Sequence, residues 1–127
     1  MALILVVDDS DSMRDLLCLT LRTAGHQVVD AENGRKALEL AEQRRFELVF
    51  TDLRMPEMDG VSLLRALRGT PGYGSTPIVV LTTSTDPEER QVARAAGATG
   101  WMVKPFGPDA LLTVVNKLLA KTKPSAA

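Results

Sequence analysis

The sequence predicts an α/β fold in which a parallel β-sheet lies between two layers of helices. Short apolar runs alternate along the chain with longer segments whose apolar residues recur at helical spacing. The runs are unbroken by polar residues, as expected of parallel strands that are covered on both faces. Five such alternations, at lengths that suit right-handed crossover connections, predict a three-layer sandwich around a five-stranded sheet.

The strands and helices can be placed along the chain. Strands are expected at residues 3–7, 26–31, 46–51, 78–81 and 99–103. Each strand is followed by a helix, and these helices are expected to begin after Ser12, at Gly34, at Gly60, at Pro87 and at Pro108. Ser12 is predicted to cap the first helix, and Asp86 to cap the fourth with Pro87 in its first turn. The turn-rich loop at 69–77 is expected to be the most mobile segment.

The composition predicts one domain, spanning residues 1–127, with a frayed tail at 123–127. The chain has 127 residues, of which 45% are hydrophobic and 24% charged, as in ordinary globular proteins. The net charge of -1 gives no reason to expect nucleic-acid binding. The apolar start lacks a basic region and is too short to span a membrane, so we expect a cytoplasmic protein.

Polar residues follow four of the predicted strands. Asp8 and Asp9 come after the first strand, Asp52 after the third, Thr82 after the fourth and Lys104 after the fifth. In a parallel sheet these strand ends share one edge. Three carboxylates there repel and raise one another's pKa unless a cation intervenes. Lys104 supplies one positive charge, and an all-oxygen cluster suits Mg²⁺ better than zinc.

A carboxylate beside Mg²⁺ and a lysine is equipped to attack a phosphoryl group. The metal ion and the ammonium group neutralise the phosphoryl oxygens, and the carboxylate is the in-line nucleophile. A hydrogen bond from Thr82 to a phosphoryl oxygen would couple phosphorylation to the position of the following loop.

Four segments together resemble the receiver domain of two-component response regulators. They are Val6-Val7-Asp8-Asp9-Ser10, the segment 52–60, Leu81-Thr82-Thr83 and Val103-Lys104-Pro105-Phe106. They occur in the family's order and span nearly the whole chain. The resemblance implies a flavodoxin/CheY-like sheet in the order 2-1-3-4-5.

The resemblance also implies a role for each site residue. Asp52 would accept a phosphoryl group from a kinase histidine, and Lys104 would contact that group. Asp9 and Asp52 would bind Mg²⁺ together with the backbone carbonyl of Arg54, and Asp8 would assist through water.

The same resemblance implies a conformational switch formed by Thr82 and Trp101, and a cis bond between Lys104 and Pro105. Tyr or Phe is more usual than Trp at the switch position. Arg54 and Thr83 also depart from the usual residues, so we expect an altered lifetime of the phosphoryl group.

Because the resemblance spans nearly the whole chain, we expect a stand-alone receiver, and the segment 97–106 resembles the chemotaxis CheY group. That resemblance implies a monomeric signalling protein that is not an enzyme. Its expected partners are a CheA-like histidine kinase, a flagellar motor switch protein and a phosphatase. The expected output surface is the fourth helix with the fifth strand and the fifth helix.

Other functions remain open at the level of sequence. A phosphate sink or a phosphorelay intermediate would use the same chemistry. A phosphatase with an aspartate nucleophile would use Asp9 and Asp11, which have the required spacing. A flavodoxin-like electron carrier is disfavoured, because the acidic segment Asp8-Asp9-Ser10-Asp11 would repel a flavin phosphate.

Overall fold

The computed structural model describes residues 2–122, so the predicted frayed tail at 123–127 lies outside the described residues. The strands are β1 Leu3–Val7, β2 Gln27–Ala31, β3 Leu48–Asp52, β4 Ile78–Thr82 and β5 Gly100–Val103. The helices are α1 Asp11–Thr23, α2 Gly34–Gln43, α3 Gly60–Arg68, α4 Pro87–Ala95 and α5 Pro108–Thr122. The predicted alternation of five strands and five helices is confirmed.

The five strands form one parallel sheet in the order β2-β1-β3-β4-β5, which confirms the predicted order. The register places Val7 of β1 opposite Thr51 of β3. It also places Thr82 of β4 opposite Val103 of β5. Asp8 and Lys104 directly follow two of these paired residues, so the register brings the predicted site residues to one edge of the sheet.

The sheet separates two hydrophobic clusters. One cluster contains apolar side chains of α2, α3 and α4, and the other contains those of α1 and α5. Successive residues of β1 alternate between them: Leu5 packs with the first cluster, and Ile4 and Val6 pack with the second. The central strands are therefore buried on both faces, as their unbroken apolar runs predicted.

The structure corrects the predicted cap of α1. Ser10, and not Ser12, has the extended backbone of an N-cap, and its Oγ accepts from Met13 N at 3.3 Å. Ser12 lies inside the first turn. Helix α1 therefore begins two residues earlier than the sequence predicted, and Asp11 is its first residue.

Strands β2 and β3 begin later than predicted, for identifiable reasons. The His26 backbone N–H donates to Leu21 O at 3.1 Å, which ties His26 to the end of α1. The Phe46 N–H donates to Tyr73 Oη at 3.1 Å instead of to a neighbouring strand. Conversely, β3 extends one residue further than predicted, so that Asp52 is its last residue.

The loop at 69–77, expected to be mobile, is attached to the core at several points. Tyr73 is buried, and its Oη lies 3.0 Å from Ala41 O and 2.5 Å from Arg44 O. The Arg68 guanidinium donates to the carbonyls of Tyr73 and Thr76, each at 2.7 Å. These contacts depend on Tyr73 and Arg68 and were not visible in the loop's glycine and proline content.

Among residues 2–122, no helix is long and apolar enough to cross a lipid bilayer.

Candidate functional site

Three carboxylates meet at the carboxyl edge of the sheet. Asp8 and Asp9 follow β1, and Asp52 ends β3. One oxygen from each of the three side chains lies within 4.8 Å of the others. Asp8 is buried, Asp52 is half-buried and Asp9 is exposed. The cluster therefore has a buried base and one side that is open to solvent.

Lys104 lies between two of these carboxylates. Its Nζ is 2.9 Å from Asp8 Oδ2 and 3.5 Å from Asp52 Oδ2. The Lys104 backbone N–H donates to Thr82 O at 2.7 Å, and the bond to Pro105 is cis, as the resemblance implied. The ammonium group thus offsets part of the negative charge that the cluster concentrates.

The second oxygen of each paired carboxylate is fixed by the backbone. Asp8 Oδ1 accepts from Ser10 N at 2.9 Å, and Asp52 Oδ1 accepts from Leu53 N at 2.7 Å. Each carboxylate is therefore held in one orientation, with Oδ2 directed towards Lys104. A reacting group that is fixed in advance loses less entropy in the transition state.

The tight approach of α3 to β3 requires a glycine. A side chain at Gly60 would place its Cβ 2.3 Å from Asp52 O, and the Gly60 N–H donates to Leu53 O at 2.8 Å. The connection that follows Asp52 consequently folds back against the end of its own strand.

Burial is the main influence on the acidity of Asp52. It raises the pKa of the Asp52 carboxyl, Lys104 opposes this shift, and the neighbouring charge of Asp8 reinforces it. The sequence indicated the repulsion between carboxylates and the opposing charge of Lys104, but not the burial. A raised pKa makes the ionised carboxylate a stronger nucleophile than an ordinary surface aspartate.

The donor set fits a hard divalent cation. The cluster consists of carboxylates, without the thiolate or imidazole groups that zinc prefers. Exposed Asp9 leaves room for water, which Mg²⁺ retains in most protein sites. Asp8, Asp9 and Asp52 would hold such an ion, and the predicted contribution of the Arg54 carbonyl stays a prediction.

Thr82 lies at the carboxyl end of β4, whereas Trp101 lies further from that edge, within β5. Thr82 is buried, and its Oγ1 accepts from Ser84 N at 3.1 Å. Trp101 is half-buried and stands opposite Val80 in the sheet. With Arg90 and Arg94 it lines a surface cavity of about 270 Å³. The switch role of the two residues stays a prediction.

Two residues near the site have partners that sequence reasoning missed. Glu89 accepts from Ser84 Oγ at 2.6 Å and forms an ion pair with Arg54. The local pattern had suggested only a capping role for Glu89.

Asp11, the second aspartate of the phosphatase alternative, is exposed and pairs with Arg14 at 2.6 Å, outside the carboxylate cluster.

This fold, with a carboxylate–lysine cluster at the carboxyl edge of its sheet, is that of a receiver domain, a class of signalling domain, and comparison with known proteins supports that class. The chain belongs to the response regulator receiver domain family, whose model matches residues 4–116. The predicted family is therefore confirmed.

Two solved receiver structures illustrate the similarity. The chemotaxis response regulator CheY4 of Vibrio cholerae is 45% identical, with a TM-score of 0.89, and the match covers 93% of this chain and 98% of CheY4. The receiver domain of the sensor histidine kinase PA1611 from Pseudomonas aeruginosa has a magnesium ion coordinated in its active-site cleft. It is 27% identical, with a TM-score of 0.88, over 94% of this chain and 98% of that one.

A longer protein is also similar. The transcriptional regulatory protein SrrA of Staphylococcus aureus is 36% identical over 120 residues, which are 94% of this chain and 48% of SrrA. The chain thus spans about half the length of the curated relatives that it matches.

Proposed function

We propose that this chain receives a phosphoryl group on Asp52 from a phosphohistidine of a histidine kinase. The observation that carries the proposal is the position of the Asp52 carboxylate, fixed by Leu53 N–H and facing Lys104 Nζ beside two further carboxylates. One oxygen of Asp52 forms a bond to phosphorus while the bond from phosphorus to the imidazole nitrogen breaks. The electron pair of that bond stays on the departing imidazole.

The remaining site residues stabilise the charge that develops in this step. Lys104 is placed to donate to a phosphoryl oxygen next to Asp52. We propose that Asp9, Asp52 and the backbone carbonyl of Arg54 would be direct ligands of Mg²⁺. Asp8 would contact the ion through a water molecule. The metal ion supplies positive charge that offsets the repulsion between phosphoryl oxygens and carboxylates. The magnesium ion in the PA1611 receiver supports this part of the proposal.

We also propose that Thr82 and Trp101 convert phosphorylation into a change of surface. Thr82 stands at the end of β4, where its hydroxyl hydrogen can turn towards an acceptor on Asp52, and Trp101 lies on the adjacent edge strand. The product is an altered protein surface and not a released chemical, so the domain acts as a signalling module and not as an enzyme.

For the biological role we propose a single receiver domain in chemotaxis. The 45% identity to CheY4, over 98% of that chain, favours this role. A CheA-like kinase, a flagellar motor switch protein and a phosphatase are the partners proposed. A monomeric state, a cytoplasmic location and the absence of nucleic-acid binding stay predictions. The similarity to SrrA favours a second candidate, a receiver that controls a transcriptional regulator.

Intact-mass spectrometry after incubation with acetyl phosphate tests the central step. We expect a Mg²⁺-dependent mass increase of one phosphoryl group, which is lost in Asp52→Asn. Asp59→Asn is the matched control, since asparagine caps α3 as well as aspartate does. An adduct that persists in Asp52→Asn, or no adduct in the wild type, would contradict the proposal.

Binding measurements separate the possible roles. We expect binding to a motor switch protein to strengthen when the domain is phosphorylated. Binding that ignores phosphorylation would count against the motor role and favour a phosphate sink or a phosphorelay intermediate. Sustained hydrolysis of a generic phosphate ester would instead support the phosphatase alternative.

A further inference from the structure

An ion pair joins the loop after Asp52 to the start of α4. Arg54 lies two residues beyond Asp52, and its guanidinium pairs with the carboxylate of Glu89 in the first turn of α4. The Arg54 side chain is 73% exposed and that of Glu89 is 28% exposed. The bridge therefore lies at the surface, and one of its residues follows Asp52 by two positions in the chain.

A second set of hydrogen bonds connects Glu89 to Thr82. Ser84 Oγ donates to Glu89 Oε1 at 2.6 Å, and the Ser84 N–H donates to Thr82 Oγ1 at 3.1 Å. Asp86 N, at the cap of α4, donates to Ser84 Oγ at 3.2 Å. We call Arg54, Thr82, Ser84 and Glu89 the α4 latch, because they connect the two sides of the Asp52 site to the start of one helix.

Helix α4 depends on such polar contacts because it buries little. Ala93 is its one fully buried residue. A helix that is attached by a single small apolar side chain gains little free energy from burial, so surface hydrogen bonds contribute a larger share of its attachment.

We propose that Glu89 is a positioning residue that holds Arg54 beside the reaction centre until Asp52 is phosphorylated, and that the phosphoryl group then draws Arg54 away from Glu89 and releases the start of α4. This inference rests on the proposed function of Asp52. A phosphoryl group carries more charge than a carboxylate and accepts both N–H groups of a guanidinium. It therefore competes with Glu89 for Arg54.

The same event weakens the other end of the latch. When the Thr82 side chain rotates about its Cα–Cβ bond so that the hydroxyl donates to the phosphoryl group, its oxygen moves away from Ser84 N–H. Ser84 and Glu89 then each lose one partner in the same step. Both changes act on the first turn of α4, so the latch opens as a unit.

Hydrogen exchange at the amides of residues 88–91 tests the latch in the unphosphorylated protein. We expect exchange in Glu89→Gln to be about two- to fivefold faster than in wild type, the range for one surface ion pair. Glu88→Gln is the matched control. It removes the same charge from the same helix turn, and Glu88 is exposed and forms no ion pair in the described part of the chain. We expect wild-type exchange for this control.

The phosphorylated samples test the release step. After acetyl phosphate and Mg²⁺ we expect faster exchange in wild type and no remaining difference between wild type and Glu89→Gln. A purely structural role of Glu89 would leave that difference in both states. In addition, Arg54→Met and Glu89→Gln should be non-additive when combined in the unphosphorylated protein, because each removes the same contact.

The outcomes separate this inference from the proposed function. If Glu89→Gln exchanges like Glu88→Gln, the latch is wrong even when the mass of the protein shows phosphorylation. If the difference between wild type and Glu89→Gln persists in phosphorylated protein, the release step is wrong. If no phosphoryl adduct forms on Asp52, the proposed function fails together with the release, whereas the unphosphorylated comparison still decides whether Glu89 holds α4.

Discussion

The ionised side chain of Asp52 lowers the stability of the folded protein, because its charge is partly buried. Burial raises its pKa in the folded protein above the unfolded value. A carboxyl with a raised folded pKa binds a proton more readily in the folded state, so the protein loses stability as pH rises through the interval between the two values. The full cost is present at pH values above the folded pKa.

We therefore expect Asp52→Asn to raise the free energy of unfolding at pH 7 in EDTA. Asparagine is a neutral isostere that avoids the cost of burying a charge. The gain should shrink as pH falls towards the ordinary aspartate pKa of about 4. Urea denaturation at a series of pH values measures the effect. A variant that is less stable than wild type at pH 7 would show that the Lys104 contact outweighs burial.

The Tyr73 hydroxyl satisfies backbone groups from two other segments. It accepts from Phe46 N and lies within hydrogen-bond distance of Ala41 O and Arg44 O. We expect Tyr73→Phe to lower the free energy of unfolding by about 1–3 kcal/mol, because it leaves buried polar groups unpaired. Thermal denaturation measures this. Thr76→Val, which loses one exposed contact of 3.4 Å, should change stability by less than about 0.5 kcal/mol.

At the scale of the element, α1 offers a direct test of which serine is its cap. Ser10→Ala should cost about 1 kcal/mol, because it removes the acceptor of the Met13 N–H. Ser12→Ala should be neutral or slightly stabilising, since Ser12 lies inside the helix and alanine has the higher helix propensity. Paired denaturation curves compare them. A larger loss for Ser12→Ala would restore the cap that the sequence suggested.

Arg68 joins three elements at the end of the sheet opposite the carboxylate cluster. From the last turn of α3 it donates to the loop carbonyls of Tyr73 and Thr76 and to Gly97 O beyond α4. Arg68→Lys should cost about 2 kcal/mol, because one ammonium group cannot reproduce a planar fork of donors. Arg65→Lys, an exposed change in the same turn, is the control and should be nearly neutral. Equal losses of stability in both variants would mean that the guanidinium contacts of Arg68 are unimportant.

At the scale of the whole molecule, Mg²⁺ should act as a stabilising ligand. Binding to the folded state alone adds about 1.4 kcal/mol at a concentration ten times the dissociation constant. We expect a Mg²⁺-dependent rise in the melting temperature that is lost in Asp9→Asn. Asp15→Asn, an exposed substitution on α1, should keep the full rise. A rise that survives in Asp9→Asn would place the ion elsewhere.

The sequence predicted the features that depend on repeated local patterns. Unbroken apolar runs predicted the strands, and the shared edge of a parallel sheet predicted that Asp8, Asp52 and Lys104 lie together. Contacts between segments distant in sequence were missed. Glu89 follows Asp86 in the spacing of a capping box, and nothing in that pattern indicates its partner Arg54. The apolar run Leu48-Val49-Phe50 predicted a strand that begins at Phe46, whereas the Phe46 N–H donates to Tyr73 Oη.

The Arg68 contacts also determine how α4 can move. Arg68 holds Gly97 O, just beyond the end of α4, through Nε at 3.0 Å and Nη2 at 2.7 Å, while the start of α4 is held by the latch that is proposed to open when Asp52 is phosphorylated. A helix fixed at one end tilts about that end, so its displacement increases along its length from Ala95 to Pro87. A partner that grips the first turn of α4 would therefore distinguish the two states of the domain sharply. A partner that binds Arg94, in the last turn of α4, would meet nearly the same surface in both states.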